Sequence, residues 1–386
     1  MGWDMKKVFI VLLILVSIIM TGCGKNTEKS IVKNFEKKVS GANCYHIVGM
    51  LDITNNDETY KYDVDVSYKK DDNYRVSLTN KSNGHEQIIL KNNTGVYVVT
   101  PSLNKSFKFQ SDWPNNNSQV YLLKSILEDI TKDKNRTFEE KDGLYVFTTS
   151  VNYPNNPKLV KQNVKLDKDY MVKEIEIVDE AGIPQMVMKY NEVDLKADFD
   201  DKHFELDKIV DENNSNENEK TEQNNTEKEK TNKDSNNNEN INKENSTDTT
   251  NNDNQNSENN TSKKEENKTN TTSSINDVVF PLYIPTGTTL TDQEKVSKSN
   301  GERVILTFDG EKPFLLVEET ANVEKNFSVV PTYGEPFLMA NTVGALTSNS
   351  LTWVSNGVEY YLVSDAISQL ELVEIANSIS SIPTMK

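Results

Sequence analysis

Tyr60-Lys61-Tyr62-Asp63-Val64-Asp65-Val66-Ser67-Tyr68 is the stretch that decides the fold. Every even position is aromatic or β-branched and every odd position is polar. Side chains alternate across a strand, so this period of two places one apolar face against one wet face. Such a half-buried strand belongs to an antiparallel sheet covered on one side. Shorter versions recur outward from it: Tyr74-Val76-Leu78, Val96-Val98, Phe107-Phe109, Tyr145-Phe147, Val164-Leu166, Ile175-Ile177 and Met186-Met188-Tyr190. Turn signals separate them, among them Lys70-Asp71-Asp72-Asn73, Ser82-Asn83-Gly84 and Lys141-Asp142-Gly143. The pattern predicts roughly ten strands in a strongly curved antiparallel sheet.

Two helices are predicted to plug the concave side. Residues 26–40 carry Ile31, Phe35 and Val39 on one face and meet Gly41 as a stop. From Ser118 onward, Val120, Leu123, Ile126, Leu127 and Ile130 form a second stripe. A cavity left on that side is predicted to be filled by these helices or to take an acyl chain or a peptide.

Residues 211–274 read differently. Ile241 is their only aliphatic residue, and Asn, Glu, Lys, Thr, Ser, Asp and Gln supply nearly all the rest, with a net charge of −7. A segment this polar cannot bury enough apolar surface to offset its chain entropy, so a disordered acidic linker is expected. At about 5–6 Å × √n it would separate its flanking domains by roughly 40–50 Å.

Residues 275–386 regain strand patterns at Arg303–Phe308 and Phe314–Glu319. A hairpin then runs through Leu351–Val354, the turn Ser355-Asn356-Gly357 and Val358–Val363, and a closing helix carries Leu370, Val373, Ile375 and Ala376. The whole is α+β: a curved N-terminal sheet over 23–210, the linker, and a small α+β domain over 275–386.

The whole chain carries a net charge of −17. Nucleic-acid binding, which needs a basic footprint, is not expected, and neither is charge-driven adhesion to anionic lipid. The sequence lacks Gly-x-Ser-x-Gly, His-Glu-x-x-His and any phosphate-cradling glycine run, so no enzyme is expected. Cys44, His46, His85 and His203 do not share a ligand spacing, so neither metal nor cofactor is expected. Cys44 itself reads as a small buried apolar residue or as half of an intermolecular disulfide.

At the N-terminus, Lys6-Lys7 precede a 13-residue apolar run from Val8 to Met20, broken only by Ser17. That is the form of a secretory signal peptide over 1–22, and it falls short of the roughly 20 residues of a membrane-spanning helix. Met20-Thr21-Gly22-Cys23 resembles the bacterial lipobox. The resemblance implies that Cys23 becomes the acylated first residue of a lipoprotein held by its palmitate-like chains on the extracytoplasmic face of the cell or forespore membrane.

Gly95–Phe109, with Asn104-Lys105-Ser106-Phe107, followed by Trp113-Pro114 and Tyr121-Leu122-Leu123, resembles the LolA-like lipoprotein-carrier fold and, within it, the GerS-related germination lipoproteins. The resemblance implies a non-enzymatic partner of an N-acetylmuramoyl-L-alanine amidase acting on the spore cortex in sporulation or germination. Residues 275–386 resemble an uncharacterised C-terminal domain of Gram-positive envelope proteins. A similar two-domain plan occurs in periplasmic regulators of anti-sigma factors. A lipid carrier or sensor, an anti-sigma regulator and a homodimer therefore stand beside the amidase partner.

Overall fold

The computed structural model describes residues 27–55, 58–212, 275 and 277–380. Cys23, the signal-peptide stretch and residues 213–274 lie outside the described residues.

The first helix, α1, spans Glu28–Gly41. Thr27 caps it by accepting from the Ser30 N–H at 3.3 Å, and Ile31, Phe35 and Val39 form its buried stripe. The helix runs through Gly41 to a C-cap at Ala42, one residue beyond the expected stop. Strands β1 (Cys44–Asn55), β2 (Glu58–Lys69), β3 (Asn73–Asn80), β4 (Glu86–Asn92), β5 (Gly95–Thr100) and β6 (Lys105–Phe109) follow as an antiparallel meander. Tyr62, Val64 and Val66 of β2 face inward, as the alternation requires.

Helix α2 spans Leu123–Lys132, so the expected start at Ser118 is too early. Other bonds claim the preceding backbone: the Ser118 N–H donates to the Asn152 carbonyl, the Gln119 N–H to Ser125 Oγ within α2, and the Tyr190 hydroxyl to the Val120 carbonyl. Val120 is buried as expected, but from an irregular segment.

Strands β7 (Thr137–Lys141), β8 (Leu144–Ser150), β9 (Lys161–Leu166), β10 (Val172–Val178) and β11 (Pro184–Asp194) complete the first region, with β11 returning to pair with β1. A bulge at Val48/Gly49 interrupts that pairing and adds bend to the sheet. A Cβ on Gly49 would lie 2.4 Å from the Lys189 carbonyl oxygen, so only glycine fits this crossing.

The second region opens with the long strands β12 (Thr288–Lys298), β13 (Gly301–Gly310) and β14 (Phe314–Thr320). Next come β15 (Ser328–Thr332), β16 (Glu335–Leu338), β17 (Val343–Leu346), β18 (Ser350–Ser355), β19 (Val358–Val363) and helix α3 (Gln369–Ser380). The β18–β19 turn places Asn356 and Gly357 at φ 50° and 77°, as a tight two-residue hairpin demands. Seven of these strands form the second sheet, in the order β12-β13-β14-β19-β18-β17-β16. Its core joins Leu306, Phe308, Leu316 and Leu351 to Leu372, Ile375 and Ala376 of α3.

β15 does not join that sheet. It pairs in parallel with β6, making a twelfth strand on the first sheet, whose order is β15-β6-β5-β4-β3-β2-β1-β11-β10-β9-β8-β7. The expectation of two regions held tens of ångströms apart is therefore corrected: they are docked and share a sheet. The expected α+β class, with a large curved sheet plugged by helices and a smaller sheet domain behind it, is observed.

Candidate ligand-binding cleft between the two sheets

Much of the concave side of the first sheet is closed by its own chain. Ile31 and Phe35 of α1, Ile126 and Ile130 of α2, and Trp113, Tyr121 and Leu122 from the irregular connection are all at most 1% exposed within one core. Toward β4, β5 and β6 the cover comes instead from the second region, whose Ala340, Val343 and Ala345 enter the same core.

Polar contacts fix that cover. The Gln87 carboxamide on β4 behaves like a piece of backbone: its Nε2 donates to the Val343 carbonyl at 3.1 Å, and its Oε1 accepts from the Val343 N–H at 2.7 Å. Thr342 Oγ1 lies 3.0 Å from the same Oε1. The Tyr62 hydroxyl donates to the Ala340 carbonyl at 2.9 Å, and Lys105 Nζ sits 3.1 Å from the Glu359 carboxylate. Glu335 accepts from Asn116 Nδ2 at 2.6 Å and from the Ser111 hydroxyl, while burial raises its carboxyl above the ordinary range. Asn104, left-handed at φ 51°, ends the turn into β6 and accepts the Ser328 N–H at 2.9 Å, which starts β15.

A cleft of about 250 Å³ remains between the sheets. Val98 of β5, with Phe107 and Phe109 of β6, forms one wall. Val343 to Ala345 of β17 and Thr352 to Val354 of β18 form the other, with Pro331 and the largely exposed Tyr333 at the rim. Among the described residues, its lining contains no Asp, Glu, His, Lys, Arg or Cys. Thr100 Oγ1 and Trp353 Nε1 are fully buried and have no hydrogen-bond partner among the described residues, and Trp353 packs into the core of the second sheet. The Trp353 ring is held flat against Tyr360, 4.9 Å between centroids. The arrangement suits retention of an apolar group by contact.

The residues singled out in the sequence are dispersed. Cys44 is buried and free. His46 Nε2 lies 2.9 Å from Asp65 Oδ2, His203 stacks on Phe199 and meets Ser67 Oγ at 2.9 Å, and His85 lies 3.4 Å from Ser102 Oγ. Among the described residues, no group of three or more His, Cys, Asp or Glu side chains forms a metal site. Also among the described residues, no helix is long and apolar enough to cross a membrane. In the hairpin motif, Pro101 opens a 3₁₀ turn, Phe107 and Phe109 line the cleft, and Trp113 is buried edge-on against Tyr74. Gln87 carries no signal in the sequence, since it reads as an ordinary strand residue. The unbroken apolar run Ile88-Ile89-Leu90 was the available signal that this end is buried on both faces.

No family model matches the chain. It is 31% identical over 377 residues to the sporulation protein YdcC of Bacillus subtilis (strain 168), a match spanning 97% of each chain. Among solved structures, it resembles one chain of the complex of the Clostridioides difficile CwlD amidase with the GerS lipoprotein, at 17% identity and TM-score 0.21 over 46% of this chain and 98% of the other. It also resembles the LolA superfamily protein NE2245 from Nitrosomonas europaea, at 15% identity and TM-score 0.28 over 47% and 98%. Neither the sporulation protein nor the LolA-superfamily protein is named for a catalysed reaction.

Proposed function

The chain belongs to the family of the sporulation protein YdcC, and from that premise we propose that it is a lipid-anchored, non-catalytic binding protein acting in sporulation or germination. In this reading residues 1–22 are removed, Cys23 carries the acyl chains, and residues 23–210 and 275–386 work outside the membrane, joined by 211–274. Its protein partner is a cell-wall amidase of the spore cortex, as the likeness of the β5–β6 hairpin to the GerS-related lipoproteins suggests. The observation that carries the reading is that the YdcC match runs through both regions, 97% of each chain, so the docked pair is the unit to be explained. Affinity capture of the lipidated protein from sporulating cells is expected to retain an N-acetylmuramoyl-L-alanine amidase that rebinds when both are purified. Absence of such a complex would end the amidase assignment. Recovery of Cys23→Ala in the membrane fraction after signal cleavage would end the anchor assignment.

One observation favours a second reading, that of a carrier or sensor of a small apolar ligand: among the described residues, no charged group lines the cleft between the sheets. The two readings are compatible, since a bound ligand would stabilise the docked arrangement that a partner meets.

A further inference from the structure

One end of the first sheet gathers exposed apolar side chains. Along the ladder from β8 to β1, Ser150 pairs with Lys161, Lys161 with Val178, Val178 with Pro184, and Met186 with Ile53, so these strand ends lie together. The N-terminus of α1 is at the same end. Glu28 accepts from Arg136 Nε at 2.8 Å, Arg136 donates to the Asp133 carbonyl, and the Asp133 carboxylate accepts the Ser150 N–H at 2.8 Å. The second region meets this end through two contacts. The Asn377 carbonyl accepts from Asn55 Nδ2 at 3.0 Å, and Ser378 Oγ accepts the Tyr283 N–H at 3.1 Å.

A groove of about 420 Å³ opens here, with Ile53, Leu159 and Met186 on one side and Tyr283, Leu370 and Val373 on the other. Among the described residues, ten large hydrophobic side chains are exposed. Four of them border this end: Leu282 at 70%, Ile183 at 57%, Tyr283 at 39% and Ile284 at 37%. Such clustering marks a contact surface. Among the described residues, the charged groups lining the groove are Lys158 and Glu374, which are of opposite sign, so charge does not select the partner.

What covers this surface follows from where the described chain begins. Thr27 precedes α1, and Cys23 stands four residues earlier, a span of at most about 14 Å of extended chain. We propose that this end of the molecule rests on the bilayer, with Ile183, Leu282 and Tyr283 entering the boundary between headgroups and acyl chains. The proposal rests on the lipid-anchor reading. An anchor makes the contact intramolecular, so a few side chains that could not hold a free protein on a membrane suffice once Cys23 is attached. Neutral lipid is enough, because the groove carries neither sign of charge in excess. At the other end of the strands, Tyr45 pairs with Tyr68 and the ladder continues through Tyr74 and Val96 to Phe109 and Thr332. Tyr333, at the rim of the cleft, is therefore held away from the membrane.

The test uses residues 23–386 with Cys44→Ala, coupled through the Cys23 thiol to maleimide-bearing phosphatidylcholine vesicles. One set of vesicles has acyl chains brominated close to the headgroup, and the other set is unmodified. Trp113 and Trp353 are buried, so Leu282→Trp or Tyr333→Trp, each at an exposed position, supplies the responsive signal. On the brominated vesicles the emission added by Leu282→Trp is expected to fall about twofold, since interfacial apolar groups sit roughly 5–10 Å into the headgroup–acyl boundary. The emission added by Tyr333→Trp, 79% exposed at the native tyrosine, is expected to stay unchanged. Equal quenching at both positions would overturn the proposal, because the tethered protein would then have no preferred face. Quenching at neither would also overturn it and leave the surface to a protein partner. Both failures leave the anchor reading untouched, because the coupling itself supplies the attachment and Cys23→Ala tests the anchor separately.

Discussion

The concave face of the first sheet is closed in two ways, and the contrast separates structure from function. Under α1 and α2 the closure is dry: Ile31, Phe35, Ile126 and Ile130 are essentially unexposed. Under β16 and β17 the closure comes from more than 240 residues away in sequence and is held by Gln87, Tyr62 and Lys105 through hydrogen bonds and an ion pair. Apolar burial is non-directional and makes a permanent core. A hydrogen-bonded contact is worth less net free energy and depends on geometry, so the second cover is the releasable one. The empty space sits under that cover.

The comparison breaks first if the plug is not the stronger side. Phe35→Ala removes a ring that is 1% exposed and is expected to cost about 3–5 kcal/mol, read from the urea midpoint. A loss below about 1 kcal/mol would mean that the helix is only a loosely held lid.

A second test separates the two regions by pH. Glu318 on β14 is fully buried, meets the Val279 N–H at 3.0 Å, and is pushed up to about 7 by burial. Its folded-state value thus lies above its unfolded one, and the folded chain holds the extra proton. Stability contributed by this group is complete at acid pH and is lost as pH rises from about 4.5 through about 7. Glu318→Gln is expected to flatten that slope and to stabilise the second sheet by about 2–3 kcal/mol at pH 8. Denaturation midpoints of both proteins at pH 5 and pH 8 measure it, and an unchanged slope would remove Glu318 as the cause.

These contrasts also explain what the sequence made legible. The alternation of Tyr62, Val64 and Val66 showed which face of β2 is buried, because one face meets the core and the other water. β12 escaped notice: Thr288–Lys298 is exposed along most of its length and held by backbone pairing with β13, so it has no apolar period to read. β15 is invisible for a related reason, being five residues containing Pro331 that pair with β6 at the sheet edge. The cleft was beyond reach because its walls meet only through docking. Gln87 and Val343 lie 256 positions apart, and neither pattern nor spacing connects them. The α2 stripe was legible, whereas its first turn was not, since a local bond to Ser125 and distant ones to Asn152 and Tyr190 decide that backbone.

The releasable cover can be probed directly at Gln87. Gln87→Ala would leave the buried N–H and carbonyl of Val343 without their partner, at a cost of about 1–3 kcal/mol to docking. Hydrogen exchange at Val343 is expected to accelerate by a factor of about 5–100 while β1 and β2 keep their protection. Equal loss of protection in both places would show that the second region is part of one cooperative unit with the first, and the contrast would fall.

The smallest effect is expected at the edge of the same interface. Lys105 and Glu359 have side chains 15% and 28% exposed, and they join β6 to β19 across the two regions. Their partial exposure screens the attraction, and long side chains lose rotamer freedom when held together, so the coupling is expected to be about 0.5–1 kcal/mol. Lys105 also lies 5.0 Å from the centre of the Phe107 ring, so Lys105→Ala alone mixes the ion pair with that contact. A double-mutant cycle of Lys105→Met and Glu359→Gln isolates the pair. Raising the salt concentration should shrink the coupling if it is electrostatic. A coupling well above 1 kcal/mol that resists salt would place this pair with the permanent core instead of the releasable cover, and the boundary between the two closures would have to be redrawn nearer the cleft.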